Sequence, residues 1–440
     1  MNSLKVKILS LAPSGHGVAE NNWYILGAFP GEIVSAQKYK EAEGITYAEL
    51  VKIITPSKYR THTPTIHPFY NPNAPWEHLK LEQENKEKLI ITKEVFNKYG
   101  IAIESDISKP GSLSSGYRSK AAYAFTKDPH NQISFALFQR GVFASGKIAQ
   151  SENLLVHPEV NKIGKQFLVF FNQKKVPLEL LKYLNLRYSY STNTVVVHIL
   201  VTETSRKKLP WKKSDLEKLI ENNTTLQGIL VSHSQSGMRS SVTTKDFYVI
   251  GDIVITESLL DKQYRYYPTQ FFQIYPEAFG HILTDCENLV RSIPNHNQYE
   301  LLDFFAGIGI IGIHLARHIK SVRGVEQSPL AQEYASLNAE QNNIHNFKFT
   351  EANVDEALEY IQSKQILVVD PARSGLTKKS LKKIAETQPK YIIYISCNPE
   401  TQARDYSEFQ DFYTLEWSRA YNLFPKTPHI EHVIFLKRKN

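Results

Sequence analysis

The sequence has 440 residues, which is long enough for two or three domains with separate hydrophobic cores. Its two cysteines exclude a disulfide framework and any metal or iron–sulfur site that takes four cysteines from this chain. The formal charge of +8 favours a polyanionic partner, although charge alone does not select one. Because we find neither a membrane-spanning apolar run nor a signal peptide, we expect a cytoplasmic protein that does not associate with membranes.

Residues 1–58 contain short segments of alternating polar and apolar residues. Glycine turns such as APSGHG and AFPGE separate these segments. The pattern predicts a small β-barrel of about five strands, of the oligonucleotide-binding (OB) type.

Residues 59–260 are predicted to form a central α/β RNA-binding domain. A connector rich in proline and histidine (61–78) leads into a charged helical segment (79–100). The predicted strands are QISFALFQ (132–139), KQFLVFF (165–171) and NTVVVHILVTE (193–203). A helix is predicted for KSDLEKLIENN, opened by Ser214 or Asp215.

Residues 261–440 alternate strands with helices, most regularly from about residue 297. The predicted strands are nearly continuous apolar runs, such as QYELLDFF, SVRGVE, ILVVD and YIIYIS. This pattern predicts a doubly wound parallel α/β sheet of the Rossmann type. A closing hairpin is predicted for YNLFPKTPHIEHVIFLKRK.

The first of these strands leads into a GxGxxG turn from Gly307 to Gly312, and Glu326 ends the next strand. Glycines allow a ligand to approach the backbone closely, and the carboxylate can bind two ribose hydroxyls. The pattern fits a nicotinamide dinucleotide and S-adenosylmethionine about equally, and glycines that serve only a tight turn are the structural alternative. Asp303 favours the methyl donor, because a carboxylate there would oppose a pyrophosphate and could meet the methionine ammonium.

Polar and reactive groups also follow the later strands, at Asn353, Asp370 and Cys397. The carboxyl ends of parallel strands form the ligand crevice of such a sheet, so these groups are expected to converge. Cys397 precedes Asn398 and Pro399, which suit a helix N-cap and first position, and a helix N-terminus favours a thiolate. The alternatives are an inert buried thiol and, for Asp370, a turn or helix cap.

A thiolate in such a crevice suits one kind of methyl acceptor, the C5 carbon of uracil, which is a poor nucleophile. If the thiolate of Cys397 adds to C6, the resulting enolate can take a methyl group at C5. A base must then remove the C5 proton so that the thiolate can leave. Glu431 is the candidate base, with an exposed charge at a strand edge as the alternative.

The segments around these residues resemble those of the RNA uracil-5 methyltransferases, which make 5-methyluridine in transfer RNA and 23S ribosomal RNA. The similar segments are FFQIYP, LLDFFAGIG, VRGVE, DPARSG, YISCNPETQARD and HIEHVIF, while APSGHGVA and GAFPGEIV resemble the family's TRAM domain, an RNA-binding barrel. The resemblance implies Cys397 as nucleophile and Glu431 as base. The resemblance also implies which residues surround the methyl donor, in addition to Asp303 and Gly307 of the turn. These are Gln273, Phe305, Glu326, Asn353 and Asp370. It also puts Gln273 and Asp370 close to a uracil flipped out of its stack.

The chain departs from its TRAM-bearing relatives in one respect. Many of them bind a four-iron cluster through cysteines that this chain lacks, and Ile66, Pro72 and Pro75 stand roughly in the place of three of these. His157 lies near the place of the fourth. We therefore expect no metal and no iron–sulfur cluster.

The resemblance implies a monomeric, S-adenosylmethionine-dependent enzyme that methylates uracil C5 in RNA. The TRAM-like barrel and DPARSG favour 23S ribosomal RNA as the substrate, with transfer RNA as the alternative. Two other classes remain open, a catalytically inactive RNA-binding module and a dinucleotide oxidoreductase. Intact Cys397, Glu431 and Gln273 argue against the first, and the SCNP segment has no role in the second.

Protein purified without oxygen should be colourless and free of iron, because Cys286 and Cys397 alone cannot hold a four-cysteine cluster. Iron analysis and an absorption spectrum test this. Stoichiometric iron with broad absorption near about 400 nm, typical of thiolate-bound clusters, would contradict it.

Overall fold

The computed structural model describes residues 3–62, 70–108, 111–138, 147–235, 237 and 242–439, so Ile66 lies outside the described residues. The N-terminal strands are β1 (Leu4–Leu11), β2 (Gly17–Ala19), β3 (Trp23–Leu26), β4 (Ile33–Ala42) and β5 (Ile45–Thr55). Within the described range they form a closed five-stranded barrel, which confirms the predicted barrel. Only the pairing of β3 with β5 is parallel in this part. Small and branched side chains fill the interior, among them Ile8, Val34, Ala36, Ala48 and Leu50.

The chain leaves the barrel through α1 (Leu81–Asn97), where a helix is predicted, and the short strand β6 (Asp106–Ser108). Val95 and Phe96 of α1 lie in the hydrophobic core of the C-terminal sheet, and β6 forms an edge of that sheet. These two elements lie within 59–260 in sequence but pack with 261–440. The division of the chain after residues 58 and 260 stays a prediction.

The central domain contains, in chain order, β7 (Lys120–Lys127), β8 (Ile133–Phe138), β9 (Lys147–Gln150), α2 (Pro158–Gln173), β10 (Leu181–Ser189), β11 (Thr194–Val201), α3 (Lys213–Glu221), β12 (Leu226–His233) and β13 (Lys245–Gly251). In the described residues the strands form one sheet in the order β13-β12-β11-β10-β7-β8-β9. Helices α2 and α3 cover one face of this sheet with a shared hydrophobic core.

Two local predictions differ from the structure. The segment KQFLVFF, predicted as a strand, lies inside α2. The buried residues of α2 recur at helical spacing, as Val160, Ile163 and Phe167 illustrate, so packing outweighs the β-propensity of the aromatic residues. Helix α3 begins at Lys213, one residue before the predicted opening at Ser214.

The hairpin of β14 (Ile255–Leu259) and β15 (Lys262–Tyr266) leads to α4 (Pro276–Ser292) and the C-terminal sheet. The elements that follow are β16 (Glu300–Phe304), α5 (Ile310–Leu315), β17 (Ser321–Glu326), α6 (Pro329–Gln341), β18 (Phe347–Glu351), β19 (Gln365–Val369), α7 (Lys378–Thr387), β20 (Tyr391–Ser396), α8 (Pro399–Ser407), β21 (Tyr413–Tyr421) and β22 (Glu431–Arg438). The strand order in the described residues is β18-β17-β16-β19-β20-β22-β21-β6. Strands β16 to β20 are parallel, so the doubly wound α/β prediction is confirmed. Strands β21 and β22 form a hairpin, but β21 lies almost entirely before the predicted segment, which begins at Tyr421.

Successive residues of the central strands enter two different hydrophobic cores. Ile366 and Val368 of β19 belong to the core that includes α4 and α5, and Leu367 and Val369 belong to the core that includes α1 and α8. Both faces of the sheet are therefore covered by helices, as near-continuous apolar strands require. Among the helices described here, none has the length and apolar composition needed to cross a membrane.

A buried ion pair of α1 holds the loop between β21 and β22. Lys88 Nζ lies 2.8 Å from Glu84 Oε1, and both side chains are fully buried. Lys88 also donates to Asn422 Oδ1 at 2.6 Å, and Glu84 Oε2 accepts a hydrogen bond from Lys426 N at 2.9 Å. The two charges thus compensate each other and order the loop at the same time.

The same loop contacts the barrel and the central domain. Trp76 N donates to the Lys426 carbonyl, and Trp76 Nε1 donates to the Gly15 carbonyl of the barrel, both at 3.0 Å. Tyr117 Oη donates to the Pro425 carbonyl at 3.0 Å. Three parts of the chain therefore meet at the segment that precedes β22.

Replacing Lys88 by Met should destabilise the protein by about 3–5 kcal/mol, because Glu84 would remain buried without its partner. Urea unfolding measures the loss. Lys86→Met is the matched control on the same helix, since Lys86 and its partner Glu82 are exposed, and its midpoint should hardly move. Equal midpoints for the two variants would contradict the role given to the buried pair.

Candidate active site

The carboxyl ends of β16, β17, β19 and β20 lie side by side, because these strands are parallel and nearly level in register. Phe304 is paired with Val325 on one side and Val369 on the other, and Val369 is paired with Tyr394. One edge of the sheet therefore carries the candidate residues at or just beyond these ends, Phe305, Glu326, Asp370 and Cys397.

The turn after β16 leaves open space at the place expected for a ligand. Phe305, Gly307 and Gly309 all have positive φ, at 63°, 53° and 85°. A Cβ added to Gly307 would meet no described atom within 4 Å, so a substituent there would have room although the backbone conformation favours glycine. At Gly312 an added Cβ would lie 3.0 Å from Asp303 Oδ2, so that glycine serves close packing of helix and strand.

Asp303 is a fully buried carboxyl beneath this turn. Its Oδ2 accepts a hydrogen bond from Gly312 N at 2.9 Å, and its Oδ1 has no partner among the described residues. Burial raises the pKa of Asp303 to about 8, the Gly312 hydrogen bond opposes this, and Asp370 and Glu326 add to the increase. The unpartnered oxygen fits a ligand that brings a positive charge or a hydrogen-bond donor.

Gln327 links Glu326 to Asn353 by hydrogen bonds to both residues. Glu326 Oε1 accepts from Gln327 N at 2.8 Å and Ser328 N at 3.2 Å, which orients its carboxylate. Asn353 Nδ2 donates to Gln327 Oε1 at 3.2 Å, while its Oδ1 accepts from Asp355 N at 3.0 Å. Glu326 is thus preorganised at the position expected for a ribose-binding carboxylate.

Cys397 and Glu431 come together through the antiparallel pairing of β20 with β22. Ser396 is paired with His432, so the next step of the register sets Cys397 opposite Glu431. Glu431 is buried, and its Oε2 has no partner in the described part of the chain. A thiol and an unpartnered carboxyl thus face one another at the ligand edge of the sheet.

The carboxyl groups of this edge hold their protons unusually strongly. Burial and the charge of Asp370 raise the pKa of Glu431 well above its ordinary value, and Arg373 opposes the increase. Burial raises the pKa of Asp370 to about 7. Two buried carboxyls that repel each other favour a state in which one of them is protonated near neutral pH.

The thiol of Cys397 differs from the sequence-based expectation of a stabilised thiolate. Burial and then the charge of Glu431 raise its pKa to about 12, while Arg373 lowers it. Helix α8 begins at Pro399 with Asn398 at the N-cap position, as predicted, but Asn398 Nδ2 donates to the Arg373 carbonyl instead of capping the helix. Burial and the nearby carboxyls outweigh the helix dipole, so the thiol is neutral at rest.

Gln273 lies in the loop between β15 and α4 and is buried, whereas Phe271, two residues earlier, is 66% exposed. Within the described residues no hydrogen bond joins the Gln273 side chain to the other candidates. The structure therefore does not link Gln273 by a hydrogen bond to Asp303, Asp370 or Glu431.

The sequence analysis assigns no role to Arg373, although it singles out the DPARSG segment that contains this residue. The positive charge of Arg373 lowers the pKa of both Cys397 and Glu431, and its Nη1 lies 3.1 Å from His429 Nδ1. A cation three residues beyond Asp370, at the same edge, is the sequence signal that points to it. Its carbonyl also accepts from Thr401 Oγ1 at 3.2 Å, which ties the segment to α8.

A doubly wound sheet with a glycine turn, an oriented carboxylate and a thiol near a buried carboxyl at one edge is compatible with a methyltransferase. The model of the family described as tRNA (Uracil-5-)-methyltransferase matches residues 81–439. The chain belongs to this family, which confirms the resemblance of the sequence motifs.

Similar proteins extend over nearly the whole chain. An uncharacterized RNA methyltransferase of Nanoarchaeum equitans is 28% identical over 99% of this chain and 93% of its own. One of Caldanaerobacter subterraneus is 27% identical over 99% of this chain and 98% of its own. Among solved structures, the tRNA (uracil-54, C5)-methyltransferase of Pyrococcus abyssi, in complex with S-adenosyl-L-homocysteine, has a TM-score of 0.77 and 24% identity, covering 98% of this chain and all of its own.

Asp303→Asn should change how stability depends on pH. A carboxyl with a pKa of about 8 in the folded protein and about 3.9 when unfolded binds more protons in the native state between these values. The stability of the unsubstituted protein should therefore fall as pH rises from about 5 to about 8, by up to about 1.4 kcal/mol per pH unit from this group. The variant should lack this contribution.

Urea unfolding of both proteins between about pH 5 and pH 8 measures the difference. Asp411→Asn, at an exposed position, should retain the slope of the unsubstituted protein. Parallel stability curves for Asp303→Asn and the unsubstituted protein would contradict the raised pKa.

Proposed function

We propose that this chain methylates C5 of uridine in RNA through a covalent bond between Cys397 and C6, with S-adenosylmethionine as methyl donor. The observation that carries the proposal is the proximity of a thiol to a buried carboxyl with an unpartnered oxygen, Cys397 and Glu431, each one residue beyond the paired Ser396 and His432. Oxygen and nitrogen acceptors have lone pairs and need no nucleophilic thiol, whereas the C5 carbon of uracil does.

We assign the donor pocket to the part of the same sheet edge that lies away from Cys397 and Glu431. Glu326 would accept the two ribose hydroxyls, and the unpartnered Oδ1 of Asp303 would accept from the methionine ammonium. The bound donor supplies an electrophilic methyl group. Phe305, Gly307 and Asn353 would complete this pocket, and Gln273 would lie between donor and uracil.

The reaction requires two proton transfers, and the carboxyl groups of Asp370 and Glu431 can accept these protons. As Cys397 Sγ bonds to C6, its proton passes to Asp370, whose pKa of about 7 leaves it partly ionised at neutral pH. The C4–C5 enolate then takes the methyl group at C5, and the donor leaves as S-adenosylhomocysteine. Glu431 removes the C5 proton, the C6–sulfur bond breaks and 5-methyluridine is released, and Asp370 returns its proton to the Cys397 thiolate. Burial of Glu431 raises its affinity for a proton, which suits a base.

Transfer RNA is the first candidate substrate and 23S ribosomal RNA the second. The family description names tRNA, and so does the name of the Pyrococcus abyssi protein. That protein has a similar fold over 98% of this chain, a share that has to include the barrel. The barrel, which carries the sequence-based preference for ribosomal RNA, therefore does not separate the two substrates.

Cys397→Ala and Glu431→Gln should fail at different stages of the reaction. Without the thiol no enolate forms, so neither methyl transfer nor a protein–RNA bond is expected. Without the base, addition and methylation can proceed while elimination stalls. Glu431→Gln should therefore accumulate a methylated RNA–protein adduct that survives denaturing electrophoresis, and the double variant should have none.

The RNA released from this adduct identifies the substrate, and we expect transfer RNA. Ribosomal RNA in the adduct would reverse the order of the two candidates. An active Cys397→Ala enzyme would refute the covalent mechanism, and the absence of an adduct despite normal RNA and donor binding would move the base assignment to Asp370.

A further inference from the structure

The central sheet has a second face that α2 and α3 do not cover. Side chains alternate along each strand, so Tyr123, Leu184 and Leu186 enter the core beneath these helices while their neighbours point to the other side. On that other side Arg187 of β10 is paired directly with Lys120 of β7. Two cations thus stand next to each other on one face of the sheet.

Neither cation is neutralised by an acidic side chain in the described residues. Arg187 is 3% exposed, donates to the carbonyls of Pro268 and Gln270, and has no acceptor for Nη1. Lys120 is partly buried and makes no ion pair or side-chain hydrogen bond with any described residue. Burial, together with the charge of Arg187, lowers the pKa of Lys120 to about 7. Like charges that are buried together without a partner are costly unless an anion joins them.

A groove of about 340 Å³ opens beside this pair. Arg118 and Lys120 line it together with the aromatic side chains of Phe138 and Tyr183, and no carboxylate is among its described lining residues. Phe138 is 58% exposed, and Lys147 Nζ lies 5.6 Å from the centre of its ring. Tyr183 is half-buried, and cations beside aromatic rings are suited to a sugar–phosphate backbone and its bases.

The chain segment that lines the groove is hydrogen-bonded to the loop that carries Gln273. Ser119, which stands between the two lining cations, donates its N–H to the Ile274 carbonyl at 2.8 Å, one residue after Gln273. Arg187 holds the beginning of the same loop through Pro268 and Gln270. The groove therefore lies beside the loop that the proposed function places between methyl donor and uracil.

We propose that the groove formed by Arg118, Lys120, Phe138 and Tyr183 binds the RNA backbone next to the target uridine. Arg118 and Lys120 contact phosphate oxygens there, and Phe138 and Tyr183 stack on bases. This inference rests on the proposed function, and it assigns to the central domain a defined part in holding the RNA.

Arg118→Gln and Lys120→Gln test the groove by RNA binding, measured on transfer RNA and ribosomal RNA from cells without the gene. Each variant should bind the substrate RNA about tenfold more weakly at low salt, as expected for the loss of one charge-assisted contact. The slope of log affinity against log salt should fall by about 0.9 for each lost phosphate contact. Binding of S-adenosylmethionine should be unchanged.

Two further variants distinguish the loss of a phosphate contact from a general effect of net charge or of misfolding. Lys320→Gln removes one positive charge at the opposite end of the strands, where Lys320 pairs with Glu300, and should leave RNA affinity unchanged. Lys120→Arg keeps the charge and should retain RNA affinity, which also excludes misfolding as the cause of a loss. Equal losses for Lys320→Gln and Lys120→Gln would overturn the proposal, because net charge alone would then explain the effect.

The test also separates this inference from the proposed function. If Glu431→Gln forms its RNA adduct while both groove variants keep full RNA affinity and salt slope, the groove proposal fails and the function stands. If the groove variants lose affinity while Cys397→Ala remains active, the groove binds RNA and the catalytic proposal fails.

Discussion

The structure depends on the burial of carboxyl groups at one edge of a parallel sheet. Asp303, Asp370 and Glu431 all have a raised pKa, and burial is the largest cause for each. Withdrawing carboxyls from water destabilises the folded chain unless they are neutral or gain partners. Asp303 and Glu431 each keep one oxygen without a partner among the described residues, and the proposed function places the methyl donor at the first and the uracil at the second.

Placing Glu431 in this cluster requires contacts that are distant in sequence. Strand β22 reaches the edge only by pairing with β20, and the loop before it is fixed by the Glu84–Lys88 pair and by Trp76. Residues of the N-terminal third of the chain therefore help to position the segment that leads to Glu431. This dependence explains why α1 and β6 pack with the C-terminal sheet.

The sequence contained enough local pattern to predict the barrel, the doubly wound sheet and the glycine turn. It was less informative where packing between distant segments decides the outcome. The aromatic residues of KQFLVFF favour a strand, yet their core-facing spacing places them in α2. The protonation of Cys397 was also beyond local reasoning, since a helix N-terminus is visible in the sequence but burial and the proximity of Glu431 are not. Arg373 was missed for the same reason, because its effect arises from neighbours that the fold supplies.

The central claim is that this chain forms 5-methyluridine in RNA through Cys397. Mass spectrometry of transfer RNA and 23S ribosomal RNA, from cells with the gene, without it, and with only the Cys397→Ala gene, tests this claim most directly. The account predicts one 5-methyluridine that is present with the intact gene and absent from both other strains. The same set of 5-methyluridines in all three strains would contradict it.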